Sequence, residues 1–331
     1  MISQNYNWLT NIASKKFEHN SIILIGTGYM ASEYAAAFKK MKISDVNIIS
    51  KNDHEIFDSS NFLDFNILYG GYEKILPTLK PADLIIIATP IPLLLDAANI
   101  AVKTGQKNIL IEKPGSLYTK NLKLFSQKLT DQKIRIGYNR LTYPSFHKLK
   151  LLAELDGGIT SCTFNLTEWI HKIKFKTNLP EVYARWGISN SLHVISMAFE
   201  LIGMPKSLTS YHNGSLDWHT SGSIFTGSGL SVNDIPFSYH GNWESGGRWG
   251  IDLMTKESIY RLTPLEELYE CKKGEMEWKK IPIKTAFPDV KTGIAEEIAM
   301  MLSDSIEKEI GLTDLEKAIQ YNEIAEKIFN Y

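Results

Sequence analysis

Residues Ser21 to Lys39, S-I-I-L-I-G-T-G-Y-M-A-S-E-Y-A-A-A-F-K, constrain the fold more than any other stretch of the chain. Residues 21–25 hold four Ile or Leu in five positions, too few for a free-standing helix and suited to a strand buried on both faces. The pattern breaks at Gly26 and Gly28, after which Ala, Met and Phe dominate, with polar residues only at Ser32, Glu33 and Lys39. Strand, glycine turn and a helix pressed closely against a sheet follow from that order. A dinucleotide needs this geometry. Gly26 permits the tight turn, Gly28 lets the backbone approach a pyrophosphate, Ala31 keeps helix and sheet close, and the amides opening the helix face the phosphates. Thr27, Tyr29 and Met30 join the glycines as candidate cofactor contacts. Turn glycines also occur at strand-to-helix junctions that bind nothing, so the surroundings of the motif must decide.

A length of 331 residues suits two domains. Residues 1–145 are expected to form a dinucleotide-binding domain, with 1–20 as an amphipathic lead-in in which Trp8, Leu9, Ile12 and Phe17 are available for packing. Residues 146–331 form a second domain for substrate and oligomer contacts. With 36 Lys and Arg against 37 Asp and Glu, nothing favours nucleic acid or an acidic membrane, and a small neutral or modestly anionic ligand fits better. The two cysteines, Cys162 and Cys271, are far apart and suit free thiols in a reducing compartment. The first residues lack a signal-peptide core, and no apolar run approaches the roughly 18 residues of a membrane span, so a cytoplasmic location is expected.

Beyond the first unit the spacing predicts strands at 46–50, 66–69, 83–88, 108–111 and 133–136, alternating with helices near 72–79 and 93–102. That order calls for a Rossmann-type, doubly wound parallel sheet, whose ligands bind outside the carboxyl ends of the strands. The unusual residues collect at those ends: the glycines, Ser50 and Lys51, Ala88-Thr89-Pro90, Glu112-Lys113-Pro114, and Asn139-Arg140. Ser50 and Lys51 stand where an NAD site places an acid on the ribose 2′-hydroxyl. A hydroxyl followed by a cation favours NADP. The alternatives are a merely solvated Lys51, or Asp53 as the ribose acid of an NAD site.

After about residue 150 the texture changes to alternating stretches rich in Thr and aromatics: 159–169, 207–212, 223–225, 236–240, 250–254, 258–262 and 277–283. Helices are expected at 191–202, 293–303 and 313–329. The second domain is thus an α+β domain with a large, mostly antiparallel sheet. No histidine pair has H-x-x-x-H spacing, and no metal site is expected.

G-T-G-Y-M-A at 26–31, A-T-P at 88–90, E-K-P at 112–114, G-Y-N-R at 137–140 and a helix bearing His193 together resemble the Gfo/Idh/MocA oxidoreductases, the glucose-fructose oxidoreductase and inositol dehydrogenase family. Through G-G-R-W-G-I-D-L-M-T-K at 246–256 and the following R-L-T-P-L-E-E-L, the chain resembles members from bacterial surface-polysaccharide clusters more than inositol dehydrogenases. The resemblance implies hydride transfer between nicotinamide and a hydroxyl or keto carbon of a sugar, sugar derivative or nucleotide-sugar. Lys113 would hydrogen-bond the reacting oxygen and His193 would exchange its proton, roles that an ammonium and an imidazole suit. The family pattern D-x-G-x-H-x-x-D falls on Ser189 to Ser196, so Ser replaces both aspartates. Asn139, Arg140, Arg185, Trp186, Ser189 and Asn190 are candidate substrate contacts. A homodimer or homotetramer through the second sheet is the further expectation. The competing readings are a catalytically idle NAD(P)-binding sensor and a relative that recycles a tightly held cofactor.

Overall fold

The computed structural model describes residues 7–52, 59–175, 177–311 and 313–331. Asp53 lies outside them, as does the side chain of Trp8. The chain forms two compact units: residues up to Thr142 with Thr285–Ile319, and Tyr143–Lys284 with Gln320–Tyr331. A single cut at 145/146 therefore misses that residues 285–319 return to the first unit.

In the first unit, strands β1 (Ser21–Ile25), β2 (Asp45–Ser50), β3 (Asn66–Tyr69), β4 (Leu84–Ile87), β5 (Asn108–Glu112) and β6 (Lys133–Gly137) pair in parallel in the order β3-β2-β1-β4-β5-β6. A two-residue strand, Thr313–Asp314, adds antiparallel to β6. β1 is flanked by β2 and β4, which accounts for its unbroken apolar run. The order reverses between β1 and β4, the switch point where such sheets bind nucleotides. Helix Tyr29–Lys40 buries Ala31, Tyr34, Ala35, Ala37 and Phe38. The returning helix Ile294–Leu302 completes the same core: Ile294, Ala295, Ile298 and Met301 join Ile22, Leu24, Ile86 and Leu110. Leu9, Ile12 and Phe17 of the lead-in are buried there too. Helices Thr119–Ser126 and Asp304–Ile310 went unanticipated because their apolar residues are sparse among polar ones.

In the second unit, β7 (Ser161–Asn165), β8 (Pro205–Asn213), β9 (Ile224–Ser231), β10 (Pro236–Asn242), β11 (Gly250–Met254), β12 (Ser258–Leu262), β13 (Leu268–Lys272) and β14 (Lys279–Ile281) form a sheet in the order β14-β13-β12-β11-β7-β10-β9-β8. Its pairs are antiparallel except β7 with β10. One face packs on helix Leu192–Ile202, where Phe199 meets Phe164 and Phe237 edge-on at 5.8 and 5.2 Å between ring centroids. The alternate residues Thr163, Asn165, Ser238, His240, Asp252 and Arg261 line a cavity of about 470 Å³. β9 continues well past Phe225 through a glycine-rich run with little strand propensity. A Cβ at Gly229 would lie 2.0 Å from the Ser207 carbonyl oxygen, so only glycine admits β8 this closely. Among the described residues no helix is long and apolar enough to cross a membrane.

Candidate functional site

The first unit gathers its candidate residues along one sheet edge. Gly26 and Gly28 follow β1, Ser50 ends β2, Ala88 to Pro90 follow β4, Glu112 ends β5 with Lys113 next, and Asn139 and Arg140 follow β6. Parallel pairing places all these strand ends on the same side.

The two glycines serve different ends. Gly26 has φ +116°, and a Cβ there would stand 2.5 Å from the Ala88 carbonyl oxygen, so the fold itself requires glycine. At Gly28, the N-cap of helix Tyr29–Lys40, a Cβ would meet nothing within 4 Å. No packing demand explains that residue, whereas a ligand lying against the helix opening does. Thr89, whose backbone nitrogen lies 3.4 Å from where a Cβ on Gly26 would stand, has its Oγ1 buried without a hydrogen-bond partner. Lys291, from the returning segment, donates to Tyr29 Oη at 3.0 Å and lies 4.6 Å from the ring centroid, bringing a cation to the first residue of the helix. An open cradle, an unsatisfied hydroxyl and a cation at a helix N-terminus fit the pyrophosphate and sugar of a dinucleotide.

The end of β2 separates its two candidates. Ser50 is buried, its hydroxyl donating to the Asn52 carbonyl at 2.7 Å and lying 3.2 Å from Thr27 Oγ1. It shapes the turn, and Lys51 is the exposed neighbour. Asn139 is likewise committed: its amide donates to the Thr292 carbonyl at 3.2 Å and its own carbonyl accepts from Thr142 at 2.7 Å. The Lys113–Pro114 peptide is cis. Glu112 is buried and accepts a hydrogen bond from Tyr34 Oη at 2.7 Å; burial pushes its carboxyl up, against the pull of Tyr34, Lys113 and Lys291.

In the second unit, His193 sits in the first turn of helix Leu192–Ile202, immediately after a π-helical turn, Gly187–Ser191. Such turns bend a helix locally and re-aim the residues that follow. The His193 ring is nearly buried and lies 6.0 Å from that of Trp249. Ser189 turns back on its own backbone, donating to the Val182 and Trp186 carbonyls at 3.4 and 3.3 Å. Arg185 pairs with Glu326 at 2.8 Å and covers the Tyr331 ring, while Trp186 stacks on Tyr183 at 6.0 Å.

Glu168 was not among the sequence candidates. It is 2% exposed and accepts four hydrogen bonds: Oε1 from Ser191 Oγ at 2.5 Å and Trp249 Nε1 at 3.1 Å, Oε2 from Asn190 Nδ2 at 2.9 Å and Arg248 Nη1 at 3.1 Å. Burial pushes its carboxyl up, while Ser191, Arg248, Asn190 and Trp249 pull it down. Indole and guanidinium are donors only and occupy different oxygens, so the proton-free carboxylate is the form that satisfies all four. A charge therefore anchors the π turn that presents His193. Its signal in the sequence was burial parity: Cys162, Phe164 and Leu166 point inward, and Glu168 is the next residue in step. Among the described residues no cluster of His, Cys, Asp or Glu has the makings of a metal site.

Set beside known proteins, the chain matches no family model, and no curated protein matches it in sequence. Solved structures do match in fold. UDP-N-acetylglucosamine 3-dehydrogenase from Acidithiobacillus ferrooxidans superposes with a TM-score of 0.70 at 14% identity, covering 93% of this chain and 96% of that one. An oxidoreductase from Thermotoga maritima gives 0.74 at 15% identity, covering 95% and 96%. An oxidoreductase from Agrobacterium radiobacter, solved with NAD+, L-tartaric acid and magnesium, gives 0.72 at 14%, covering 94% and 95%. The fold is that of the Gfo/Idh/MocA oxidoreductases. On this fold the chain carries a glycine turn after β1 and an E-K-P segment at the end of β5, and builds the turn before His193 around Glu168.

Proposed function

We propose that the chain is an NAD(P)-dependent oxidoreductase that moves a hydride between nicotinamide and a hydroxyl or keto carbon of a sugar, sugar derivative or nucleotide-sugar. The observation that carries this reading is the empty space at Gly28, glycine where packing asks for none, at the opening of a helix on the switch-point edge of the sheet. The fold it shares with a nucleotide-sugar dehydrogenase and with an oxidoreductase holding NAD+ supports the substrate and cofactor classes.

Gly26, Thr27, Gly28, Tyr29 and Met30 line the pyrophosphate side, Ala88 to Pro90 and Glu112 the nicotinamide side. Bound nicotinamide supplies C4 as hydride acceptor or donor. Lys113 polarises the reacting oxygen with its ammonium, and His193 takes or returns the hydroxyl proton. Arg140, Arg185, Trp186 and Asn190 are the proposed substrate-side residues, with Asn139 and Ser189 acting through the backbone they hold. Lys51 favours NADP over NAD by meeting a 2′-phosphate. The polar face of the β7–β14 sheet is the proposed surface for a homo-oligomer, and the buried free thiols Cys162 and Cys271 fit a reducing, cytoplasmic setting.

Titration of the protein with NADPH and NADH, followed by nicotinamide fluorescence and repeated on Lys51→Ala, tests this. Tighter NADPH binding that weakens roughly tenfold or more in the variant supports the reading. Failure to bind either nucleotide overturns it.

A further inference from the structure

The first unit buries two carboxyl groups against one phenol. Tyr34 on helix Tyr29–Lys40, Glu112 at the end of β5 and Glu297 on helix Ile294–Leu302 are each nearly or wholly removed from solvent. Tyr34 Oη lies 2.7 Å from Glu112 Oε1 and 3.2 Å from Glu297 Oε2. Glu297 Oε1 is buried with no hydrogen-bond partner. Gly137 roofs the cluster, its missing Cβ only 3.4 Å from Tyr34 Oη and 3.5 Å from Glu112 Oε1.

Counting protons decides the charge state. A phenol has a single O–H, so it can donate to one carboxylate, and two ionised groups here would leave the second facing a lone pair and a like charge in a dry core. One added proton lets the chain align, with Glu297 donating to Tyr34 and Tyr34 donating to Glu112. The charged groups around the cluster fix its direction. Glu112 feels the Lys113 and Lys291 ammoniums and accepts a bond from the Lys113 backbone amide, whereas Glu297 feels the Glu112 and Glu296 carboxyls.

We propose that Glu297 is a neutral carboxylic acid at neutral pH, and that the Glu297–Tyr34–Glu112 chain keeps one negative charge next to Lys113, making Tyr34 and Glu297 positioning residues for that ammonium. The role given to Lys113 rests on the oxidoreductase reading; the protonation pattern does not. Burial pushes the Glu297 carboxyl well above the ordinary range, in keeping with this.

Infrared spectra at pH 7 test the proton directly. In a Glu296→Gln background, which removes the neighbouring buried carboxyl that burial pushes up to about 7, the protein is expected to show a carboxylic-acid C=O stretch above the amide I band, lost on adding Glu297→Gln and retained on adding Glu112→Gln. Glu297→Gln keeps a donor toward Tyr34 and is expected to fold with an unchanged melting temperature. With 13C-labelled lysine, and Lys113→Arg to assign the resonance, the titration of Lys113 is expected to fall by about one pH unit in Glu112→Gln and to stay put in Glu297→Gln. No such band in the Glu296→Gln protein, or a band lost on adding Glu112→Gln and retained on adding Glu297→Gln, overturns the proposal. A Lys113 titration indifferent to Glu112→Gln overturns the positioning role. None of these measurements needs nucleotide, so their failure is separable from failure to bind cofactor.

Discussion

Replacing Glu168 tests whether a buried charge holds the turn before His193. In Glu168→Gln the new amide must set its N–H₂ against either Trp249 Nε1 or Arg248 Nη1, since the two lie on different oxygens. Facing Trp249 would strand a buried donor, so the amide turns toward Arg248, whose side chain is 31% exposed and can swing into water. Asn190 then flips to offer its oxygen. Ser191 and Trp249 keep their acceptor, but lose the charge that strengthened both bonds, a loss of about 2–3 kcal/mol in all. Glu168→Ala leaves Ser191, Asn190 and Trp249 without a buried acceptor and is expected to cost about 4 kcal/mol. For a unit of this size, 1 kcal/mol shifts Tm by roughly 2–4 °C, giving a drop of about 4–12 °C for Glu168→Gln. Calorimetry, together with near-ultraviolet circular dichroism of the Trp-rich second unit, reads the transition. A Glu168→Gln protein that melts within about 1 °C of wild type would refute the ionised, four-donor carboxylate.

Gly28→Val is expected to melt like wild type, because its side chain enters empty space, and to lose nucleotide binding in fluorescence titration; unimpaired binding would sink the pyrophosphate assignment. Gly26→Ala meets both a left-handed φ and the Ala88 carbonyl, and is expected to cost about 2–4 kcal/mol in chemical denaturation, with or without nucleotide. Burial pushes the Glu296 carboxyl up to about 7 from 4.5, against its bonds to the Glu296 and Gly293 amides. A raised folded value gives stability that is complete below pH 4.5 and fades as pH climbs through 7. Relative to Glu296→Gln, the wild-type first unit should therefore lose about 3 kcal/mol between pH 4 and 8, whereas parallel pH profiles would count against a buried, titrating Glu296.

The parallel sheet was readable because its central strands β1, β4 and β5 carry dense apolar runs and its outer strands shorter ones: all six parallel strands fall at or within a residue of the expected ranges, and their ends mark the ligand edge. Other features left weaker traces. β13, L-Y-E-C-K, buries only Leu268 and Cys271, so neither alternation nor an apolar run announces it. The homing of residues 285–319 onto the first unit is a long-range event that local periodicity cannot register. Ser50 had the right residue type and position for cofactor, but its hydroxyl closes the turn to Asn52, a bond that depends on backbone geometry.

Buried acids were the least legible features, and they matter most for chemistry. A glutamate reads as a surface residue until its parity is followed: Glu168 continues the inward phase of Cys162, Phe164 and Leu166, and Glu297 sits in I-A-E-E-I-A-M-M-L, a helix buried along almost its whole length. Burying a carboxyl is costly unless donors or a proton compensate, and these two sites use opposite remedies. Glu168 is surrounded by four donors, which favour the anion. Glu297 has one phenol and a second acid nearby, which favour the proton. Each belongs to a segment that presents a proposed catalytic group, Glu168 through Ser191 to His193 and Glu297 through Tyr34 and Glu112 to Lys113. The local donor count thus sets, within each unit, where negative charge is held and where it is suppressed.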